Sequence, residues 1–349
     1  MIAFSVFVLV ALAFLYVVLP QLGGVRHTWD RLNDGDLWWI GVALVFELIS
    51  MASYVALFQG IHVPPGSSIR LVDSYKITMA SLAATRLFAA GGAGGVVLTA
   101  WSLRRSGMAR GEVAMRMMAF LVLLYGVYVV AMILCGVGLY TGLLAGPRPF
   151  AITIGPAIFG AVAIALFLAA ATVPEHAWLR LRSLAAGSLA SGAPPLTGHG
   201  RRADALRASI GRLVGVPASL VAGIRFAIAK VRHPDLALLG AVSWWALNIG
   251  VLYASFRAFG VSPPLAVVVQ AYFVGMLANL LPLPGGIGAV EGGMIGASVA
   301  LGIEGGGALI AVLMYRLFAF WLPSIPGGVA YFQLRRTVSR WRMAADAPA

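Results

Sequence analysis

Residues Leu281–Glu291 read LPLPGGIGAVE, inside an apolar region that runs from about Pro263 to Leu301. Two prolines and three glycines fall between Pro282 and Gly288. Such a run cannot continue a helix, because proline removes a backbone donor and glycine weakens the coil. A break at membrane depth frees backbone N–H and C=O groups, and it persists only where protein buries it or it lines a wet cavity. Glu291 follows within one turn of the expected helix restart, where the positive helix end favours a carboxylate or an anionic ligand. The stretch therefore reads as a hairpin that turns inside a membrane and helps to form a site. The alternative is a plain turn between two spanning helices, with Glu291 near an interface.

Composition supports a membrane setting. Of 349 residues, 60% are hydrophobic and 11% are charged, and the mean hydropathy is +0.92. These values exclude an ordinary soluble enzyme. Cys135 is the one cysteine, so neither a disulfide framework nor a zinc cluster is expected. The five histidines are scattered without ligand spacing. No phosphate loop, metal cluster or Ser/His/Asp constellation is present, so no cofactor, metal or catalytic set is expected.

Six apolar segments are long enough to span a bilayer: Ile2–Leu19, Leu37–Gly60, Glu112 to about Leu144, Phe150–Val173, Leu236–Phe259 and Gly305–Gln333. Ile69–Ala90 and Val96–Leu103 flank a second glycine break, GGAGG at Gly91–Gly95. Pro174–His233 is the long polar segment, and its Arg201–Val214 portion has the pattern of a helix lying on an anionic membrane surface. With both breaks drawn as hairpins that return to their own side, 17 Lys/Arg fall on one side of the membrane. The other side holds Arg26, Arg31 and Arg148. The bias places both termini and the Pro174–His233 loop in the cytoplasm of a cell (inner) membrane, and it accounts for the net charge of +13 without nucleic acid.

The chain also resembles itself. GGAGGV at Gly91 parallels GGIGAV at Gly285, and Arg116-Met117-Met118-Ala119-Phe120 parallels Arg316-Leu317-Phe318-Ala319-Phe320. Each unit is a span, a glycine hairpin, and a span carrying an arginine. One covers about residues 37–144 and the other about 236–333, and they insert with opposite polarity. The expected fold is an all-α polytopic membrane domain: an inverted repeat with two re-entrant, Gly/Pro-broken hairpins, an arrangement found in transporters.

Glu47, Arg86, Arg116, Glu291 and Arg316 are the costly residues, since a charge at bilayer centre costs roughly 2.5–3.5 kcal/mol. Such groups pair or line cavities. Arginine forks also match phosphate geometry. A purely structural Glu291–Arg316 pair is the competing reading, and Arg116 is equally compatible with snorkelling to the interface.

LPLPGGIGAVEGGMIGA at Leu281, YRLFAFWLP at Tyr315–Pro323 and the Gly327-Gly328 pair resemble the flippase-like membrane domain of lysylphosphatidylglycerol synthases. RLFAAGGAGG at Arg86 and LRRSGMARGE at Leu103 are similar to that family's first shared region. The resemblance implies movement of an aminoacylated phosphatidylglycerol between leaflets. The sequence carries no synthase domain through Ala349, so a stand-alone member is expected and the lipid's identity does not carry over. GGAGG stands where many relatives have a proline- and arginine-containing turn.

The sequence thus reads as a lipid transporter with membrane lipids as partners, handling a phospholipid or a polyprenyl-linked lipid. Arg86 and Arg316 are the expected phosphate ligands. Gly91, Gly92, Gly94, Gly95, Pro284, Gly285, Gly286 and Gly288 would allow close backbone approach. Glu291 would contact a cationic headgroup or hold Arg316, with Glu47 and Arg116 secondary. The alternative is a non-transporting scaffold that recruits a cytoplasmic enzyme through the basic loop. Oligomeric state is not legible. From the charge bias, cysteines introduced beside Arg201 and after Arg342 are expected to resist an impermeant thiol reagent in intact cells. Efficient labelling at both would reverse the topology.

Overall fold

The computed structural model describes residues 35–67, 69–87, 93–172, 221–233, 235–280 and 284–346. The expected first span Ile2–Leu19, the glycines Gly91 and Gly92, and the surface helix Arg201–Val214 lie outside the described residues.

Every regular element among the described residues is helical. In chain order they are α1 (Leu37–His62), α2 (Leu71–Leu87), α3 (Ala93–Arg105), α4 (Arg110–Thr141), α5 (Phe150–Thr172), α6 (221–232), α7 (Leu236–Ala258), α8 (Leu265–Met276), α9 (Ala289–Ala300), α10 (Gly305–Arg316) and α11 (Leu322–Asp346). Five stretches are long and apolar enough to cross a membrane: α1, α4, α5 (Phe150–Ala169), α7 and the continuous Gly305–Trp341. They correspond to five of the six spans expected. The last runs beyond the expected Gln333, because α11 continues through the basic Arg335–Arg342 stretch to Asp346; within the span α10 and α11 are joined through a π-turn at Leu317–Trp321, and Pro326 sits inside α11 without ending it.

Helix ends follow local chemistry. Asp36 caps α1, accepting from Trp38 N at 2.9 Å. Asp235 caps α7, accepting from Ala237 N at 2.9 Å, and also takes Lys230. Partial burial pushes the Asp235 carboxyl up, but the hydrogen bonds from Lys230 and Ala237 outweigh it and hold the pKa below the ordinary carboxylate value. α4 stops at Gly142, which takes the left-handed conformation (φ 82°).

α1 and α7 form the longest contact and run antiparallel. Asp36 N bonds Ala258 O at 2.9 Å. Further along, Phe46 meets Gly250, Ser53 and Leu57 meet Gly240, and Gly60 meets Ala237. A methyl group on Gly240 would lie 2.6 Å from Leu57 N and 2.7 Å from Ser53 O, so the backbones touch only because glycine stands there. Around this pair the remaining helices dock reciprocally. α2 lies antiparallel to α11, with Gly327 against Met79 and Lys76 bonded to Thr337 at 3.3 Å. α8 lies antiparallel to α4, where Tyr128 donates to Phe273 O and Cys135 to Ala266 O. Trp245 on α7 donates to Leu124 O at 2.7 Å in the main core.

The four helices that flank the two glycine breaks are short. α2 and α3 have 17 and 13 residues, and α8 and α9 have 12 each, against about 20 needed to cross. α2 packs antiparallel on α3, closed by Gly95 against Ser81 and Thr85; α8 packs likewise on α9, closed by Gly275 and Gly293 against each other and Met294. α5 stands at the edge with Ile158, Phe159, Leu166 and Phe167 exposed, the pattern of a lipid-facing helix.

Gly240→Ala is expected to destabilise the purified protein by about 1–3 kcal/mol, since backbone must move to admit the methyl. Gly296→Ala, where a Cβ meets nothing within 4 Å, should be neutral or stabilising by up to about 1 kcal/mol. Thermal unfolding in one detergent compares them, and equal effects would refute the close α1–α7 contact.

Candidate functional site

The site begins with a missing donor. Pro323 has no N–H, so the carbonyl four residues earlier, Ala319 O, has no helical partner. Here the chain opens into the π-turn Leu317–Trp321. Arg86, from the last turn of α2, fills the vacancy: its Nη2 donates to Ala319 O at 2.7 Å and its Nη1 to Phe320 O at 2.9 Å. An uncompensated buried carbonyl costs about 1–3 kcal/mol, and bonds to a charged donor are stronger than average.

Phe320 is the hub. The Arg316 guanidinium lies 4.2 Å from its ring centroid and that of Arg86 5.4 Å. Gly285 comes against both: a Cβ there would sit 2.9 Å from Arg86 O and 2.9 Å from the Phe320 ring. Its φ of 61° lies in the left-handed region, as do those of Gly286 and Gly288. The Gly-Gly-Ile-Gly turn is therefore both conformationally demanding and tightly packed, and Gly286 is buried.

Glu291 closes the arrangement. One oxygen accepts from Gly288 N at 2.8 Å, the reciprocal bond of a helix-start cap, and the other takes Arg316 Nε at 2.6 Å. Arg316 Nη2 reaches Gly285 O at 3.2 Å. Arg86 and Arg316 are 8% and 9% exposed, so neither works as a surface charge. Glu47 of α1, fully buried, interacts electrostatically with Arg86, and neither of its oxygens has a hydrogen-bond partner among the described residues. With all four ionised, Arg86 and Arg316 balance Glu47 and Glu291. Tyr315 donates to Tyr272 at 3.3 Å beside them.

The expected site residues thus divide. Arg86, Gly285, Gly288, Glu291 and Arg316 converge directly, with Glu47 behind Arg86 and Gly286 in the same turn. Pro284 opens that turn. Gly95 closes α2 on α3, and half-buried Gly94 lies beside it. Gly91 and Gly92 lie outside the described residues. Arg116 sits elsewhere: Nε meets Glu112 at 2.9 Å and Nη1 meets Ile61 O at 2.6 Å. Ile61 lies in the last turn of α1, where carbonyls have no helical partner, so Arg116 also caps a carbonyl, here at a helix end. Phe320 and the carbonyls of Ala319 and Ile61 were not anticipated. For Ala319 the signal was present in Pro323, four residues after the orphan.

Residues 2–327 match the family model described as "Lysylphosphatidylglycerol synthase TM region". Three matches are to proteins named "UPF0104 membrane protein" from Methanothermobacter thermautotrophicus. One is 36% identical over 109 residues, 31% of this chain and 31% of the relative. Another is 35% identical over 91 residues, 25% of this chain and 27% of the relative. The third is 33% identical over 117 residues, 32% and 35% of the two chains. The chain spans about a third of the length of the curated relatives it matches. The apolar spans and these matches make it a multi-pass membrane protein.

The cap has a measurable signature. Arg86→Met should cost about 2–5 kcal/mol of stability, from the abandoned Ala319 carbonyl, the lost bond to Phe320 O, which keeps Ser324 Oγ at 2.7 Å, and an unbalanced Glu47. Pro323→Ala returns an N–H to Ala319 O, so in that background the Arg86→Met loss should shrink by about 1 kcal/mol. Unfolding of the four proteins of this cycle measures the coupling; zero coupling would mean that Arg86 does not serve the proline's orphan.

Proposed function

The chain belongs to the lysylphosphatidylglycerol synthase TM region family, and from that premise we propose that it is a non-enzymatic lipid transporter of inverted-repeat architecture. It moves or binds a phosphate-bearing lipid, either a phospholipid or a polyprenyl-linked lipid. The two short helical pairs are its re-entrant hairpins, it resides in the cell membrane, and both termini face the cytoplasm. The reciprocal docking supports the repeat: α1 meets its counterpart α7, the first arm of each hairpin meets the arginine-bearing span of the other unit, and all three pairs run antiparallel. That is what two like units of opposite polarity require.

The observation that carries the lipid reading is the Glu291–Arg316 pair at the glycine turn. Arg316 is held by one carboxylate and one carbonyl, beside a turn built of glycines. A lipid phosphate offers the same acceptor geometry as a carboxylate. Binding then exchanges Glu291 for phosphate on Arg316, while Glu291 keeps the Gly288 N–H. Arg86 stays on its carbonyls and holds α2 against the π-turn during the exchange.

The test is a leaflet-resolved assay in liposomes with fluorescent phosphatidylglycerol and with a polyprenyl phosphate, run beside thermal stability. Arg316→Ala should abolish movement, and Arg316→Lys should restore it only in part, because lysine lacks the fork. Arg316→Ala leaves Glu291 unpaired and should lose a few kcal/mol of stability. Arg316→Met with Glu291→Gln should recover much of that stability without recovering movement. Transport by the stable double variant would reduce Arg316 to a structural role and sink the proposal.

A further inference from the structure

A second feature lies away from the arginine cluster. A cavity of about 420 Å³ opens among α1, α2, α3 and α4. Its polar wall is made of Thr78, Ser81, Thr85 and Thr99, from the facing sides of α2 and α3, with His62 from the end of α1 and the tyrosines Tyr54 and Tyr125 of α1 and α4. Among the described residues no Lys, Arg, Asp or Glu lines it. Three of the hydroxyls have partners: Thr99 donates to Ser81 at 2.8 Å, and Thr85 to Ser81 O at 2.9 Å.

Two of the wall's polar atoms are fully buried without one. Thr78 Oγ1 and His62 Nε2 are buried, their residues 2% and 1% exposed, and neither has a partner among the described residues. Leaving such atoms bare costs about 1–3 kcal/mol each. His62 is fixed in place, stacked on Phe58 at 4.5 Å and tilted against Phe120 at 5.2 Å. Its Nδ1 faces Phe58 O at 3.3 Å. A carbonyl can only accept, so Nδ1 is the donor, and Nε2 of the neutral ring is left as an acceptor. A ligand must therefore bring an O–H or N–H to His62. A bare phosphate has none to bring, and it would enter a wall without a cation. The volume is more than ten times the roughly 30 Å³ share of one water and falls in the range of ligand sites.

We propose that this cavity binds an uncharged, hydroxyl-bearing group of the sugar or glycerol kind, with His62 Nε2 accepting a ligand hydroxyl and Thr78 Oγ1 completing the polar contact. The aromatic walls of Phe58 and Phe120 take the apolar face of such a group. It is a lipid headgroup or a free sugar. Only the first source rests on the reading of the protein as a lipid carrier.

Equilibrium binding to the purified full chain in phosphatidylcholine nanodiscs tests this, with monoglucosyl diacylglycerol, phosphatidic acid and free glucose as probes. Two variants accompany the wild type. Thr78→Val is isosteric and removes the hydroxyl. Val96→Phe keeps every polar group and fills space from a half-exposed position on the cavity wall. The expected result is glucolipid binding weakened about tenfold by Thr78→Val, the loss of one hydrogen bond, and blocked by Val96→Phe. Glucose bound with the same dependence would support the site and assign it a soluble sugar. Preference for phosphatidic acid, no sugar binding, or binding indifferent to both variants would overturn it. Because the readout is occupancy rather than movement, failure of the transport proposal at Arg316 leaves this result intact, and the reverse holds too.

Discussion

The structure depends on arginines answering for backbone carbonyls that a proline or a helix end has orphaned. In an apolar surrounding no water takes over an abandoned acceptor. Pro323 strands Ala319 O and Arg86 serves it; the end of α1 leaves Ile61 O without a helical partner and Arg116 serves that. In each case the donor comes from a helix distant in sequence, so the bond also ties two elements together. Arg86 fastens α2 to the junction of α10 and α11, and Arg116 fastens α4 to the end of α1. The buried charge these bonds introduce then needs its own balance, which explains the carboxylates: Glu47 faces Arg86, Glu112 holds Arg116, and Glu291 holds Arg316.

Glycine supplies the second half of the design. Without a hydrophobic driving force between helices inside a bilayer, association relies on close packing. Gly240 brings α7 onto the α1 backbone, Gly327 brings α11 onto α2, and Gly275 with Gly293 closes α8 on α9. Short arms that cannot cross on their own gain a place by this contact. The arginine bonds alone would leave them loosely hung.

Much of this was legible in the sequence, because it is encoded locally. Hydrophobic length marked α1, α4, α5, α7 and the final span, and Gly/Pro density marked the break at Pro284–Gly288. The pairing of Glu291 with Arg316 stood among the alternatives, since two buried opposite charges near one break have few other partners. Boundaries were less legible. The last span passes Gln333 because the helix continues through Arg335–Arg342, and hydrophobic length marks where the apolar stretch ends rather than where the helix does. The roles of Arg86 and Arg116 were hidden for a different reason: their acceptors are carbonyls, which every residue has. Only the interval from Ala319 to Pro323 betrays the first, and only the end of α1 the second. The likeness of Arg116 to Arg316 is likewise a likeness of sequence position, for one pairs within its own helix and the other across a hairpin.

On the proposed reading, the charged cluster and the neutral cavity divide the chemistry of an amphiphile between them. With the four groups at the Phe320 hub all ionised the cluster is balanced, so on that reading an anion enters only by displacing Glu291 from Arg316. That makes binding there an exchange rather than a simple attraction, and it keeps the empty turn from being left with an unpaired cation. The cavity beside α2 has no charge among its described lining residues and offers two buried, unpartnered polar atoms instead. Helix α2 belongs to both, carrying Thr78 into the cavity and Arg86, two turns later, onto the π-turn. A shift of α2 that loosens the arginine cap would therefore also move the wall of the cavity, so any coupling between the two proposed sites would run through this one helix and the two carbonyls that anchor its end.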